Sequence, residues 1–368
     1  MTNTNKYITF VNQNNTYMEA IVGQRIRNSR VQRGYSLQEL ADLLGVSKQM
    51  ICKYEQGQSM PTSEKLIAFS KLFGEKVDYF FRQPEVEIGE INFRKKSNFS
   101  SKKINALKEE VRIKIENYLY VENSCNLNMN FVNPLEDLIV RTKEDIISAV
   151  DRLREAWNIG NDPIHNIIQL LEDKEIKVIE IEDESAKFDG LSTIVDNRFY
   201  VLVINKNMPV ERKRFTILHE LGHLLINLNA LEEKDKEKYC HAFASEMLLA
   251  QKKLYEEFGN RRSGISLEEL KNIQKKYGFS ITAIVYKLSE MKIISKEQMT
   301  KFFKDLNFNP TLKQVVETSR FDGVEKSDRY YNLIYRAVAE EYITLSKASA
   351  LLQLPLEDLK ASVTLNLQ

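Results

Sequence analysis

The residues best suited to chemistry form the sequence His-Glu-Leu-Gly-His at positions 219–223. Side chains four positions apart lie on one face of an α-helix, so the imidazoles of His219 and His223 can bind one divalent metal ion. Glu220 then points toward the open side of that ion. Zinc lowers the pKa of a bound water to about 7, and a neighbouring carboxylate can take its proton as the water attacks a carbonyl carbon. The spacing therefore predicts hydrolysis of an amide bond.

The distribution of histidine strengthens this prediction. The chain has only four histidines, and three of them lie between positions 219 and 241. The alternative is an amphipathic helix whose histidines only satisfy local hydrogen bonds. Its core side would consist of Leu218, Leu221, Leu224 and Leu225. The clustering of histidines favours the metal site.

A third protein ligand is expected on the next helix. Glu237 and His241 lie one turn apart there, and either side chain could coordinate the ion. If Glu237 binds, His241 would orient that carboxylate or contact the bound water, and His241 or Tyr239 would donate a hydrogen bond to the developing oxyanion. Glu246 is a weaker choice, and Cys240 is interpreted as a small core residue. Glu237 could also be a solvated glutamate at a helix start.

A second motif occupies residues 36–57, where two short helical patterns flank a turn at Gly45. This is the sequence form of a helix-turn-helix, whose second helix enters the major groove of double-stranded DNA. The residues assigned to DNA binding are Gln38, Ser47, Lys48, Gln49, Cys52 and Lys53. Further phosphate contacts are expected from Arg25, Arg27, Arg30 and Arg33. The alternative is an ordinary helical hairpin with a charged solvent face.

Composition limits the class of protein. The chain has 368 residues, enough for several domains, and its 53 basic and 52 acidic residues give a net charge of +1. Any affinity for DNA must therefore come from a local patch. Three widely spaced cysteines argue against a disulfide framework and for a reducing compartment. No apolar run is typical of a membrane span or a signal peptide. We expect a cytoplasmic protein with no membrane partner.

The elements around the motifs predict a mainly α fold with a small β-sheet, in the α+β class. Strands are predicted at Lys177–Ile181 and Phe199–Ile204, where a sheet edge beside the metal helix could pair with an extended substrate. The polar stretch 227–236 predicts a loop. Near the end, residues 343–355 loosely resemble the first helix-turn-helix, but their outward positions are not strongly basic. Packing or dimerisation is favoured there over a second nucleic-acid contact.

The chain is divided by these patterns into five segments. They are a flexible leader at 1–18, a helix-turn-helix DNA-binding domain at 19–82, a linker and long helical connector at 83–139, a metal-binding domain at 140–290, and a C-terminal helical region at 291–368.

Two family resemblances agree with this division. Residues 19–82 resemble XRE-type helix-turn-helix repressors, including Tyr-Glu-Gln-Gly-Gln-Ser-Met-Pro at 54–61. Residues from about 140 onward resemble the ImmA/IrrE family of zinc metallo-endopeptidases. The residues that carry this second resemblance are Phe-Asp-Gly-Leu-Ser at 188–192, Glu-Arg-Lys-Arg-Phe at 211–215, the HExxH motif, and 237–249 with its Phe243-Ala244 pair. The resemblances imply a lambda-repressor-like five-helix domain, a zincin-like peptidase domain and a C-terminal helical appendage.

The ImmA/IrrE resemblance also implies a ligand set. It assigns Zn²⁺ to His219, His223 and Glu237, and so supports Glu237 over His241. Two positions depart from the family pattern: His241 stands where asparagine is common, and Ala250 where proline often follows. Neither departure removes an implied ligand, but the first leaves the role of His241 open.

The combination implies a DNA-binding transcriptional regulator with zinc-dependent endopeptidase activity, in which Glu220 is the general base. We expect a homodimer on an operator or promoter that cleaves a helix-turn-helix repressor, or itself, in a stress, phage or mobile-element switch. The alternative is a DNA-binding repressor or antitoxin whose zinc site is structural or sensory. A structural site would close the fourth coordination position with protein, which here would require both Glu237 and His241.

Overall fold

A computed structural model describes residues 3–82, 101–127, 130–183, 188–195, 198–229 and 231–363, with side chains from Thr16 to Ala361 except that of Ser101. The chain is mainly helical with one small sheet, which confirms the predicted fold class. It forms two compact units, one of Met1–Asn128 with Tyr330–Gln368 and one of Met129–Arg329. Residues 83–100, the first part of the predicted linker and connector at 83–139, lie outside the described residues. None of the described helices is both long enough and apolar enough to cross a membrane.

The three described strands follow one another along the chain, with helices before and after them. In chain order they are α1 (Asn3–Gln32), α2 (Leu37–Leu44), α3 (Lys48–Glu55), α4 (Ser63–Phe73), a 3-10 helix (Val77–Phe81), α5 (Ser101–Ser124), α6 (Lys143–Ala156), α7 (Ile167–Asp173), β1 (Lys177–Ile181), β2 (Gly190–Val195), β3 (Phe199–Asn205), α8 (Val210–Leu225), α9 (Glu233–Leu248), α10 (Gln251–Phe258), α11 (Leu267–Tyr277), α12 (Ile281–Glu290), α13 (Lys296–Phe308), α14 (Pro310–Thr318), α15 (Arg329–Ala339), α16 (Leu345–Leu352) and α17 (Leu356–Val363).

The first unit contains the helix-turn-helix, α2 and α3, inside a five-helix domain that includes α1, α4 and the 3-10 helix. Ser36 and Glu39 form a capping box at the start of α2, and Gly45 ends that helix in the left-handed conformation. Helices α1 and α3 cross closely at Gly23, where a Cβ atom would lie 2.2 Å from the carbonyl oxygen of Tyr54. The core of the domain contains Val22, Ile26, Leu40, Ile51, Phe69 and Phe80.

The beginning of the chain differs from the predicted leader. Residues 3–18 are helical, because α1 runs without interruption into the part that packs in the core. Extending an existing helix costs much less than nucleating one, so the packed half supports the preceding Asn- and Thr-rich residues despite their low helix propensity.

The C-terminal region also differs from its predicted extent. Residues 291–329 belong to the second unit, while α15, α16 and α17 belong almost entirely to the first. Helices α16 and α17 flank a turn in which Gln353 adopts the left-handed conformation. Gln353 therefore takes the place that Gly45 has in the first helix-turn-helix, which residues 343–355 loosely resemble.

The second unit is built around a sheet in the order β1-β3-β2. Strand β1 is parallel to β3, with Lys177 opposite Val201, and β2 is antiparallel to it, with Leu191 opposite Val203. Helix α8 packs on β2 and β3, and α9 packs on α8. Strands β1 and β3 match the predicted strands closely, whereas β2, α10 and α14 were not predicted. Helices α13 and α14 follow each other directly, since Asn309 caps α14 and Pro310 begins it.

Candidate metal centre and candidate nucleic-acid interface

The HExxH motif lies in the second half of α8. Leu218, Leu221 and Leu225 on one side of the helix are buried in the core, as the apolar pattern predicts. The two histidines lie on the side that faces α9, with 12% of the His219 side chain and 2% of the His223 side chain exposed. The helix therefore presents both imidazoles to α9.

Three donor groups converge between α8 and α9. The Nε2 atoms of His219 and His223 lie 3.1 Å apart. Each of them lies 3.2 Å from a different carboxylate oxygen of Glu237. Ligands that surround a tetrahedral ion at about 2.1 Å are about 3.4 Å apart, so this spacing fits one small divalent ion.

Glu237 reaches this position from the second turn of α9. The helix begins at Glu233, so the loop predicted to extend to residue 236 is one turn shorter than expected. Glu233 and Asp235 lie in the first turn, where acidic side chains interact favourably with the helix dipole. The Glu237 side chain remains 44% exposed, which leaves the centre open toward solvent.

His241 lies one turn further along α9 and is exposed. Its ring centroid is 4.4 Å from that of His219, and its ring stacks on Phe215 at 5.6 Å. Donor atoms of His219, Glu237 and His241 all lie within 4.8 Å of one another. His241 is therefore near enough to contact a molecule bound at the centre, and its geometry also permits a place among the ligands.

The Cys240 thiol supports the centre from inside the core. Its Sγ atom lies 3.0 Å from Nδ1 of His223, the ring nitrogen that does not face Glu237. Cys240 is fully buried, as expected of a core residue, but its contact with a ligand ring was not predicted. A group bound to the second ring nitrogen fixes the orientation of a metal-binding histidine.

Glu220 is held by strand β2. The Ser192 hydroxyl donates a hydrogen bond of 3.0 Å to its Oε2 atom. Gly190 allows this approach, because a Cβ atom there would lie 2.9 Å from Cγ2 of Thr216 and 3.3 Å from Cγ of Glu220. Ser192 belongs to the stretch 188–192 that carries the family resemblance, but its contact with Glu220 was not predicted from the sequence.

Two other predicted participants have different partners. The Tyr239 hydroxyl donates to the carbonyl oxygen of Arg141 at 3.0 Å, so its proton is directed away from the centre. Glu246, the weaker ligand choice, is buried in an ion pair of 2.9 Å with Lys287. Glu246 therefore does not belong to the metal centre.

The candidate nucleic-acid interface is the outer side of α3. Lys48, Gln49 and Lys53 are exposed, and Cys52 is half-buried. The Ser47 hydroxyl caps α3 by accepting the backbone N–H of Met50 at 3.2 Å. The remaining assigned residue, Gln38, is exposed on α2 and donates to Asp42 at 2.8 Å.

Most of the arginines expected at phosphates have structural partners. Arg25 is buried and forms an ion pair with Glu116. Arg30 lies 2.5 Å from Glu55, and Arg33 donates to the carbonyl oxygen of Phe73. The prediction of phosphate contacts is wrong for Arg25 and Arg30, because both guanidinium groups are held within the unit. Arg27 is exposed.

Comparison with known families identifies the same two regions. Residues 26–80 match the family model described as helix-turn-helix, and residues 171–289 match a peptidase family described as the IrrE N-terminal-like domain. Both resemblances stated from the sequence are confirmed. The second match includes the three converging donors, Glu220 and Ser192, and the first supports DNA binding.

Individual relatives are named for gene regulation. The chain is 34% identical over 96 residues to an HTH-type transcriptional regulatory protein of Pyrococcus abyssi, covering 26% of this chain and 28% of that protein. It is 35% identical over 60 residues to the SPbeta prophage-derived HTH-type transcriptional regulator YonR of Bacillus subtilis, covering 16% of this chain and 56% of the relative. It is 36% identical over 69 residues to a transcriptional regulator in the ATPase CF(0) region of Rhodospirillum rubrum, covering 19% and 64%.

Proposed function

We propose that this chain is a DNA-binding transcriptional regulator with zinc-dependent endopeptidase activity. The observation that carries the peptidase half is the convergence of His219, His223 and Glu237 at 3.1 to 3.2 Å beside a Glu220 carboxylate held by Ser192. Two imidazole nitrogens and one glutamate are a ligand set of catalytic zinc, and they leave one coordination position for water or substrate. These three residues would hold the ion.

The bound ion would polarise the scissile carbonyl and lower the pKa of a water molecule. Glu220 accepts the proton of the attacking water and then donates it to the departing amine. Ser192 holds the Glu220 carboxylate in position for both transfers. His241 stands beside the centre, where its ring N–H can donate to the oxygen that gains negative charge.

Strand β2 offers a place for the substrate backbone. It is an edge strand of the described sheet and pairs there with β3 only. An extended peptide can add to such an edge through main-chain hydrogen bonds. Since Ser192 of β2 contacts Glu220, a peptide along this strand would pass close to the general base.

The DNA-binding half would use α3 in the major groove, with Lys48 and Gln49 at base edges and Lys53 at phosphate. A homodimer on two half-sites of an operator is the expected assembly. The substrate would be a helix-turn-helix repressor or this chain's own linker. Cleavage would then change the expression of the genes controlled by the operator to which the DNA-binding domain binds, in a stress, phage or mobile-element setting.

The second candidate function is a repressor or antitoxin with a structural or sensory zinc site. The closeness of His241 to His219 and Glu237 favours it, because a fourth protein ligand would close the site. Coordination by His241 would leave no place for a reactive water. Metal spectroscopy of a cobalt-substituted His241→Asn variant distinguishes the two, since only the closed site loses a ligand.

The decisive test replaces Glu220 with Gln. Zinc content should stay near that of the wild type, while cleavage of a co-expressed repressor falls by roughly 10²- to 10⁴-fold. Glu233→Gln, which removes an exposed carboxylate from the first turn of α9, is the matched control and should retain activity. Unchanged cleavage by the Glu220→Gln variant would reject Glu220 as the general base.

The DNA-binding half is tested separately by replacing Lys48 and Gln49 with Ala. Binding to the protein's own promoter should weaken and lose sequence preference, because α3 would lose two side chains that face outward. Lys71→Ala, an exposed lysine on α4, is the control. Equal binding by the double variant and the control would count against α3 as the recognition helix.

A further inference from the structure

A cleft with a volume of about 880 Å³ adjoins the metal centre in the second unit. Glu237 and His241 form part of its lining, and it extends between α9, α12 and the start of α13. Pockets of about 300 to 1,000 Å³ accommodate ligands the size of several side chains. A peptide bound at the centre would thus have neighbouring residues within reach of this cleft.

One part of the cleft is apolar and aromatic. Phe215 and Phe279 stack with their ring centroids 6.1 Å apart and their planes 8° from parallel. Tyr286 on α12 is 57% exposed, although its ring contacts Phe303 at 4.6 Å. Ala283 and Met299 complete this lining. Such a surface favours a bulky apolar or aromatic side chain, which buries its area there.

The charged groups around the cleft are unevenly balanced. Lys287 is paired with Glu246, and Lys143 lies 2.5 Å from Glu290. The other three lysines of the lining form no ion pair with any described residue. They are Lys234, Lys238 and Lys296.

These three lysines come from two of the helices that line the cleft. Lys234 and Lys238 lie one turn apart on α9, on either side of Glu237 in sequence, and Lys296 is the first residue of α13. Three ammonium groups in the lining of a cleft that is partly apolar attract carboxylates and repel other cations.

We propose that this cleft selects substrate segments in which a bulky apolar or aromatic residue lies next to acidic residues, close to the bond that is cut. This inference rests on the proposed peptidase function and names its substrate class. The apolar lining binds the first side chain, and Lys234, Lys238 and Lys296 bind the carboxylates. A lysine-rich segment of the same shape is excluded by like charge.

Binding is measured on the full chain carrying Glu220→Gln, loaded with zinc, so that no probe is consumed. The probes are fluorescein-labelled peptides of equal length that carry Phe with Asp, Phe with Lys, or Ala with Asp on a Gly-Ser background. The Phe-Asp peptide should bind about tenfold more tightly than either of the others at low salt, as fluorescence anisotropy measures. Equal affinities would overturn the inference.

The charge assignment is tested by adding Lys234→Glu and Lys238→Glu together. This variant should prefer the Phe-Lys peptide over the Phe-Asp peptide, while its zinc content and circular dichroism spectrum stay unchanged. Lys252→Glu together with Lys275→Glu, exposed lysines of α10 and α11 outside the cleft, is the control for total charge and should keep the original preference. An equal shift in the control would overturn the inference, as would displacement of the Phe-Asp peptide by a mixed-sequence single-stranded oligonucleotide.

Cleavage by the wild-type chain separates this inference from the proposed function. Faster cleavage of the Phe-Asp peptide than of the other two supports both. Charge-dependent binding without cleavage of any peptide or repressor supports the cleft but rejects the peptidase. Cleavage of all three peptides at the same rate supports the peptidase and rejects the cleft as its specificity site.

Discussion

The Sγ atom of Cys240 lies 3.0 Å from Nδ1 of His223, while Nε2 of the same ring faces Glu237. Helix α9 thus contacts both nitrogens of one imidazole, through side chains three positions apart. Metal-binding histidines generally bond to a carboxylate, a carbonyl or water at the second nitrogen. A buried thiol in this position ties the orientation of the ring to the packing of α9 on α8.

Replacing Cys240 with Ala should weaken zinc binding by roughly 10- to 100-fold, because the His223 ring loses the group that orients it. Competition with a fluorescent zinc chelator measures this change. Cys240→Ser keeps a polar group at the same place and should bind zinc nearly as well as the wild type. Cys52→Ala, in the other unit, should have no effect. Similar zinc affinities for the Ala and Ser variants would contradict the orienting role.

Ser192→Ala should lower kcat by roughly tenfold while zinc content stays unchanged, since Glu220 loses a hydrogen bond worth about 1 kcal/mol or more. KM should change little, because the serine contacts the base and not the metal ligands. Ser192→Thr retains the hydroxyl and should restore most of the rate. An unchanged kcat for Ser192→Ala would show that β2 does not position the Glu220 carboxylate.

Gly23→Ala should disrupt the helix-turn-helix domain. The added Cβ atom would lie 2.2 Å from the Tyr54 carbonyl oxygen, so α1 and α3 must separate. Overpacking of this kind costs about 1 to 3 kcal/mol or more, and thermal unfolding together with DNA binding should report the loss. Gly264→Ala is the control, because a Cβ atom there meets nothing within 4 Å. Equal melting of the two variants would refute the close crossing.

The Lys287 ammonium group closes the end of α9 by donating to Glu246 at 2.9 Å and to the carbonyl oxygens of Ser245 and Leu249. Lys287→Met should destabilise the second unit by about 3 to 5 kcal/mol, because it leaves a buried carboxylate without its partner. Adding Glu246→Leu should recover much of that loss. Chemical denaturation measures both values, and additive losses in the double variant would disprove the coupling.

The ionised Asp145 carboxylate should make part of the folding stability depend on pH. Its carboxylate accepts the backbone N–H groups of Arg141 at 2.9 Å and of Thr142 at 2.8 Å, and these bonds lower its pKa below the ordinary value of 3.8. The stabilisation is complete above that value and is lost as the pH falls through the lower pKa of the folded state.

Asp145→Asn should therefore lower Tm at neutral pH, and the difference from the wild type should shrink as the pH falls below about 3.8. Asp151→Asn changes an exposed aspartate of the same helix and should not reproduce this pH dependence. A difference in Tm that stays constant with pH would contradict the role of the ionised cap.

The parts of the fold that follow from local pattern could be predicted. The HExxH helix and strands β1 and β3 have apolar side chains at the period of their structure, and the first helix-turn-helix has its caps at Ser36 and Ser47. Strand β2 could not be recognised, because it begins with Gly190 and is only partly buried. Local pattern therefore identifies strands that are well buried and misses a mixed edge strand.

Contacts that depend on how helices cross could not be predicted. The Cys240–His223 contact requires α8 and α9 to meet at Gly222, where a Cβ atom would lie 3.1 Å from the Phe243 ring. The ion pair between Arg25 and Glu116 joins residues 91 positions apart, and sequence alone made this arginine a phosphate ligand. In both cases the partner is chosen by packing, which the spacing of residues along the chain does not reveal.

All three proposed zinc ligands lie within residues 219–237, and none lies in the helix-turn-helix domain. A shortage of zinc in the cell would then stop peptide cleavage without affecting DNA binding. This chain would remain on the operator, and the repressor that it cleaves would stay intact. Gene expression would in this way respond to the supply of zinc, because the metal ligands are confined to one of the two domains.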